Sequence, residues 1–321
     1  MGAPSLSSRT CAFFWVLRLG LLFCSAKDMM ATAVLFVTAL PAAAAAAATA
    51  LPLGGANATT IMAVGDSITF GCGYQAKPPE YGLECSGGDA SYRGKLYELL
   101  TAAGHKVQFV GRARSGSGAG FPAEQWMHEG YSGQRIDQLD EKLYGASPWT
   151  AAPPDVMLVM LGTNDIWHLN STTATMKTRM DAFLNHTFAR MGSKTKVFLA
   201  SITNMAGKVN LTDCDPVGTS NCPGHDGNPM GHSCCCGCRT YWPPMVAGLN
   251  AMLQQQVVAH KAAGKDITFV DLFGESGVCS LAASPEADDC CHSYHVHPTR
   301  TGYEKMAAVW FKYVNAVLSQ Q

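Results

Sequence analysis

The chain has 321 residues, 47% of them hydrophobic and 15% charged, with a formal net charge of −1 and 13 cysteines. That length suits one large α/β domain or two small ones, and the apolar content excludes a disordered chain. The near-neutral balance argues against a nucleic-acid binder, which carries a basic patch, and so many cysteines exclude a reducing compartment unless they hold metal or do redox chemistry.

Residues 1–50 differ in composition from all that follows. Residues 11–24 (CAFFWVLRLGLLFC) and 31–40 (ATAVLFVTAL) are apolar runs, and a polyalanine tract then leads into TALPLGGA. An apolar run of roughly 7–15 residues followed by small residues reads as a secretory signal peptide or similar targeting segment. Arg18 interrupts the first run, and neither run reaches the ~18–20 uninterrupted apolar residues of a membrane span. The expectation is a secreted, extracellular protein with no stable membrane insertion once this segment is removed. Four Asn-X-Ser/Thr sequons, at Asn57, Asn170, Asn185 and Asn210, agree with export and glycosylation.

From residue 59 on, short apolar runs alternate with helix-like stretches. Strands are predicted over 60–64, 106–110, 155–161, 196–202 and 267–272, and helices over 91–103, 134–144, 172–191, 244–263 and 299–318. In the first helix Tyr92, Leu96, Leu99 and Leu100 have the spacing of an apolar stripe. Gly104 and Gly264 follow helices directly, as C-terminal caps do. Strands with few charges, each followed by a helix, imply a parallel sheet covered on both faces. The predicted class is α/β, a three-layer α/β/α sandwich formed by one domain over 51–321. Two stretches break the alternation: 112–133 is rich in Gly and Ser with no strand signal, and 205–243 is an irregular cysteine-rich insertion.

The first predicted strand runs into Gly65-Asp66-Ser67-Ile68-Thr69. In a parallel α/β sheet, ligands bind outside the C-terminal ends of the strands, so Ser67 falls at that crevice. A lone serine there is more simply a helix cap, and a phosphate loop would need a GxxxxGK[ST] pattern that is missing. Three further segments change the balance. They are His128-Glu129-Gly130-Tyr131-Ser132-Gly133, then Gly162-Thr163-Asn164-Asp165 after the third strand, and His297-Pro298 before the last helix with Gly302-Tyr303 beyond.

GDSIT, GYSG, GTND and HP, in this order across residues 65–303, resemble the four blocks of the SGNH hydrolases, a branch of the GDSL esterase/lipase superfamily. HEGYSG, PDVMLVMLGTND and HPTRTGYEKMA look most like carbohydrate esterase family 3, which contains acetylxylan esterases. The resemblance implies a flavodoxin-like fold with a parallel five-stranded sheet, and hydrolysis of short acyl esters, most of all acetyl groups on polysaccharide. It implies that Ser67 is the nucleophile and His297 the general base. It also implies an oxyanion hole built from the Ser67 N–H, the Gly133 N–H and the Asn164 side-chain amide. Ester hydrolysis needs those parts: a nucleophile, a base, and donors for the developing charge. No metal or organic cofactor is implied, and the partners are an ester-bearing polysaccharide or a small ester, not nucleic acid. Asp66 and Asp165 read as residues that shape their loops. Two rival readings are an SGNH lipase or lysophospholipase and a catalytically silent carbohydrate-binding protein.

The pattern departs at the third triad member. The family places Asp three residues before the histidine, where this chain has Tyr294. Asp-X-X-His does occur, at Asp289 to His292, but no proline follows His292. His297 is therefore preferred as base over His292 and His295. Asp289 or Asp288, folded back by the loop, is the candidate orienting acid; a backbone carbonyl holding the ring would leave a Ser-His dyad.

Cysteines lie beyond residue 50 at 72, 85, 214, 222, 234, 235, 236, 238, 279, 290 and 291. The cluster 234–238, with His225 and His232, could suggest zinc, but three adjacent cysteines do not match C-x₂₋₄-C spacing. Disulfides are the preferred reading, with Cys72–Cys85 and Cys279 to Cys290 or Cys291 as candidate bridges.

Overall fold

A computed structural model describes residues 58–72, 89–116, 120–145, 149, 151–167, 171–205, 236–278 and 296–320, with the backbone alone for 236–243. The chain divides into two units, Met1–Ala48 and Thr49–Gln321. The first, which carries most of the expected targeting segment, lies outside the described residues.

Within the second unit, the described strands are β1 (Thr59–Gly65), β2 (Val107–Val110), β3 (Ala113–Arg114), β4 (Met127–Gly130), β5 (Val156–Met160), β6 (Lys196–Ala200) and β7 (Ile267–Val270). The helices are α1 (Ser67–Phe70), α2 (Ser91–Ala102), α3 (Ile136–Tyr144), α4 (Thr163–Trp167), α5 (Thr173–Arg190), α6 (Cys236–Ala262), α7 (Leu272–Ser276) and α8 (Arg300–Leu318). Five strands are parallel in the order β2-β1-β5-β6-β7, which is the flavodoxin-like arrangement the resemblance implies. Residues 61–65 of β1 and all of β5 are buried, as expected of strands covered on both faces.

The strand order, with crossover handedness, fixes which face each helix covers. The β1-α2-β2 crossover steps one way along the sheet and the β5-α5-β6 crossover steps the other. Right-handed crossovers then put their helices on opposite faces. α8 packs on α2, with Tyr92 and Trp310 rings 5.7 Å apart. α3 packs on α5, where the Tyr144 hydroxyl bonds the Thr187 hydroxyl at 2.9 Å. Among the described residues no helix is long and apolar enough to cross a membrane.

Two sequence expectations need correction. Residues 112–133 are not strand-free: β3 and β4 pair antiparallel with each other, and β4 pairs parallel with β1 at Val64–Glu129 and Gly65–Gly130. β2 has ended by then, so β4 takes over the edge beside the last residues of β1. α6 begins at Cys236, not at 244, so the end of the cysteine-rich insertion is helical.

Polar side chains complete the sheet. Gln125 accepts from Phe109 N at 2.9 Å and donates to Val107 O at 3.3 Å. Asn250 clamps both polar groups of Ile202, accepting from its N and donating to its O at 2.9 and 3.1 Å. The first amide serves the open side of β2 and the second the chain just beyond the end of β6, so backbone groups without a strand partner stay satisfied.

Candidate active site

The strand order reverses between β1 and β5, and at such a switch point the loops diverge to leave a crevice. β1 delivers Ser67 there and β5 delivers Asn164, so both expected residues follow neighbouring strand ends. Ser67 opens the single turn of α1, where Asp66 is the N-cap and accepts from Ile68 N at 2.9 Å. The cap thus takes the second N–H of the turn and not that of Ser67.

His297 Nε2 lies 2.9 Å from Ser67 Oγ. These atoms belong to residues 230 apart in sequence, and a specific latch registers them. The Tyr303 hydroxyl, on the first turns of α8, donates to Cys72 O at 2.6 Å. Cys72 N in turn donates to Ser67 O at 3.0 Å. The Gly302-Tyr303 pair that marks the last sequence block therefore holds the helix that follows His297 to the Ser67 loop. Thr299 caps α8 by accepting from Gly302 N, which fixes the start of the helix just after His297.

Gly133 lies in the turn that follows β4. Tyr131 N donates to Gly65 O at 2.9 Å and Gln134 N to Tyr131 O at 3.3 Å, so the turn is stitched to the end of β1. Gly133 has φ +75°, a left-handed conformation that favours glycine. A Cβ there would meet nothing within 4 Å, so backbone conformation, rather than close approach within the protein, demands the glycine. Close approach applies instead at Gly130, where a Cβ would come 2.8 Å from Phe70 N. Asn164 Nδ2 donates to Gln134 O at 3.0 Å, which ties the third block to this turn.

Asp165 shapes the loops, as the sequence suggests. It is fully buried, accepts from Ile136 N through Oδ2 at 3.0 Å and from Arg179 Nη1 through Oδ1 at 2.6 Å. Burial pushes its carboxyl up, and those hydrogen bonds pull it back. Asp66 is buried too, and desolvation raises its carboxyl from 3.8 to about 6 despite the Ile68 N–H and the His297 ring nearby. Glu129 is buried and held by Arg112, whose Nε and Nη2 reach its oxygens at 3.1 Å, and by the Tyr131 hydroxyl at 2.9 Å.

Asp288, Asp289, His292, Tyr294 and His295 lie outside the described residues, as do Cys85, Cys279, Cys290, Cys291 and the His225–Cys235 part of the cysteine-rich cluster. Among the described residues no group of three or more His, Cys, Asp or Glu side chains converges as metal ligands do. Sequence reading missed Arg93, Ser115 and Arg179. Arg93 sits among the apolar residues of α2, Ser115 lies in a Gly/Ser-rich stretch, and Arg179 lies mid-helix. None has a pattern that distinguishes it from a surface residue.

A GDSL-like Lipase/Acylhydrolase family model matches residues 63–305. The chain belongs to that family. The GDSL-like family's chemistry is carboxylic ester hydrolysis, and Ser67, His297 and Asn164 all fall inside the matched region. A family 3 carbohydrate esterase of Clostridium thermocellum is 26% identical, with a TM-score of 0.56, covering 82% of this chain and 98% of that one. A carbohydrate esterase family 3 structure from Talaromyces cellulolyticus shares the fold at 18% identity and a TM-score of 0.53, covering 82% and 99%. A multidomain esterase of Ruminococcus flavefaciens is 25% identical over 277 residues, 80% of this chain but 28% of that protein's length.

Proposed function

We propose that this GDSL-like hydrolase removes short acyl groups, chiefly acetyl, from a polysaccharide by serine catalysis. The observation that carries the reading is the 2.9 Å contact between Ser67 Oγ and His297 Nε2, within the reach needed between nucleophile and base. Ser67 Oγ attacks the ester carbonyl while His297 takes its proton. The N–H groups of Ser67 and Gly133 and the second hydrogen of Asn164 Nδ2 receive the oxyanion. His297 passes the proton to the leaving alcohol. Water, deprotonated by His297, then attacks the acyl-Ser67 ester, and the acid leaves as Ser67 Oγ regains its proton. Asp289 is the proposed residue that orients His297. Likeness to a carbohydrate esterase at 26% identity supports the acetylated-polysaccharide substrate.

Secretion belongs to the same proposal. Cys72 is disulfide-bonded, which supports an oxidising compartment. Asn185 is exposed on α5, which supports a glycan there. The sequon's Thr187 is buried, donating to Phe183 O at 2.8 Å, so transfer at this site precedes folding of α5.

Acetate release from acetylated xylan, against release from a long-chain ester, tests the substrate. The wild type should favour acetylated xylan, and Ser67→Ala should lose at least about 10³-fold in kcat. Preference for the long chain would favour a lipase. Equal inertness of both proteins on every ester would leave a carbohydrate-binding protein.

A further inference from the structure

At the end of α1 opposite Ser67, three buried polar residues meet. Arg93 comes from α2, Ser115 follows β3, and His128 lies on β4; Arg93 and His128 are 0% exposed and Ser115 4%. Arg93 donates to the carbonyls of Thr69, Asp89, Ser115 and Trp126 and to Ser115 Oγ. Its charge is thus solvated by carbonyl and hydroxyl oxygens, an expensive arrangement to bury.

Hydrogen-bond arithmetic settles the direction of each contact. Gly130 N can only donate, and it points at His128 Nδ1 from 2.9 Å, so Nδ1 carries no proton. His128 is therefore the Nε2–H tautomer and donates to Ser115 Oγ at 2.7 Å. Ser115 Oγ also accepts from Arg93 Nη2 at 2.9 Å. Its single proton is then spent on Phe70 O at 2.7 Å. One donor and two acceptor positions are all filled, which exhausts a hydroxyl's capacity. The relay runs Gly130 N–H, His128, Ser115, Phe70 O without a gap.

Phe70 O is the last carbonyl of α1, and a helix end has no partner of its own for it. α1 is one turn long, with Ser67 at its other end, so any tilt of Phe70 is passed to the nucleophile. The far end of the relay grips Gly130, whose strand leads into the Gly133 turn. The relay therefore sets the nucleophile's turn against the strand that presents the oxyanion donors. We propose that His128, through Ser115, is a positioning residue for Ser67. This rests on the reading of Ser67 as the nucleophile.

The test compares wild type, Ser67→Ala, Ser115→Ala, His128→Gln and His128→Asn on a short aryl acetate, with kcat and KM measured separately and folding followed by circular dichroism. A misplacement of ~1 Å costs about 10²-fold in rate, so Ser115→Ala and His128→Asn should lower kcat by about 10–100-fold with KM changed less than about threefold. A glutamine amide can replace the Nε2–H donor to Ser115, whereas the shorter asparagine keeps only an acceptor for Gly130 N. His128→Gln should thus recover most of kcat. Folded His128→Asn and Ser115→Ala proteins with wild-type kcat would overturn the proposal. So would equal losses in the Gln and Asn variants that simply follow their melting temperatures. Activity surviving Ser67→Ala would instead overturn the nucleophile assignment, and this proposal with it. If His128→Asn does not fold, Ser115→Ala, which removes one hydroxyl, decides alone.

Discussion

Asp66 precedes Ser67, and its surroundings give it an unusual charge balance. Oδ1 caps α1, while Oδ2 and the Thr163 hydroxyl are both buried without a hydrogen bond of ordinary geometry, though the threonine lies near enough to ease the negative charge. Folding raises this carboxyl from 3.8 to about 6, so the folded state holds its proton more tightly than the unfolded chain. The contribution is therefore favourable below pH 3.8, and is lost as pH climbs through about 6. At about 1.4 kcal/mol per pH unit, ionisation costs the fold about 3 kcal/mol at pH 8. Asp66→Asn keeps an oxygen for the cap and removes the charge. Denaturant unfolding should find this variant more stable than wild type by about 3 kcal/mol at pH 8, with the gap closing by about pH 4. A gap independent of pH would refute the assignment. His128 works the other way, because burial and then Arg93 hold its imidazole well below the usual 6.5. An unfolded chain takes up that proton as pH falls below 6.5, so His128 withdraws stability on the acid side.

At the scale of elements, α3 depends on a partner outside itself. Its first N–H, from Ile136, is satisfied by Asp165 of α4, and Arg179 of α5 balances that carboxylate. Arg179→Met leaves Asp165 buried without its cation. Breaking a buried pair from one side costs ~3–5 kcal/mol, and Arg179 keeps 21% of its side-chain surface exposed, which brings the expected loss to about 2–4 kcal/mol. Urea unfolding should show a lower midpoint at an unchanged slope. Elements differ in how far the sequence reveals them. The five parallel strands were legible because buried Val, Ile, Leu, Met and Phe dominate them. β4 was not, since Met127-His128-Glu129-Gly130 buries an imidazole and a carboxylate whose partners, Ser115 and Arg112, are visible only in three dimensions. The site divides the same way. Ser67, Asn164 and His297 follow strand ends or begin helices at positions a motif can mark, whereas Arg93 looks like any helix-surface arginine until α1, β3 and β4 close over it.

On the scale of the molecule, the hydrophobic core runs from Ile61 to Leu318, within the unit Thr49–Gln321. A protein beginning at Leu51 should therefore melt within about 2 °C of the full chain and keep its kcat on a short acetate ester; a collapse of either would assign residues 1–50 a part in the fold. The latch between Tyr303 and Cys72 has a consequence in time. A ribosome adds about 5–20 residues per second, and His297 follows Ser67 by 230 residues, so roughly 10–50 s of translation separates them. Throughout that interval Ser67 is synthesised with no His297 for it to pair with. The Ser67–His297 contact therefore cannot form until α8 has been translated, which makes it one of the last contacts the fold completes.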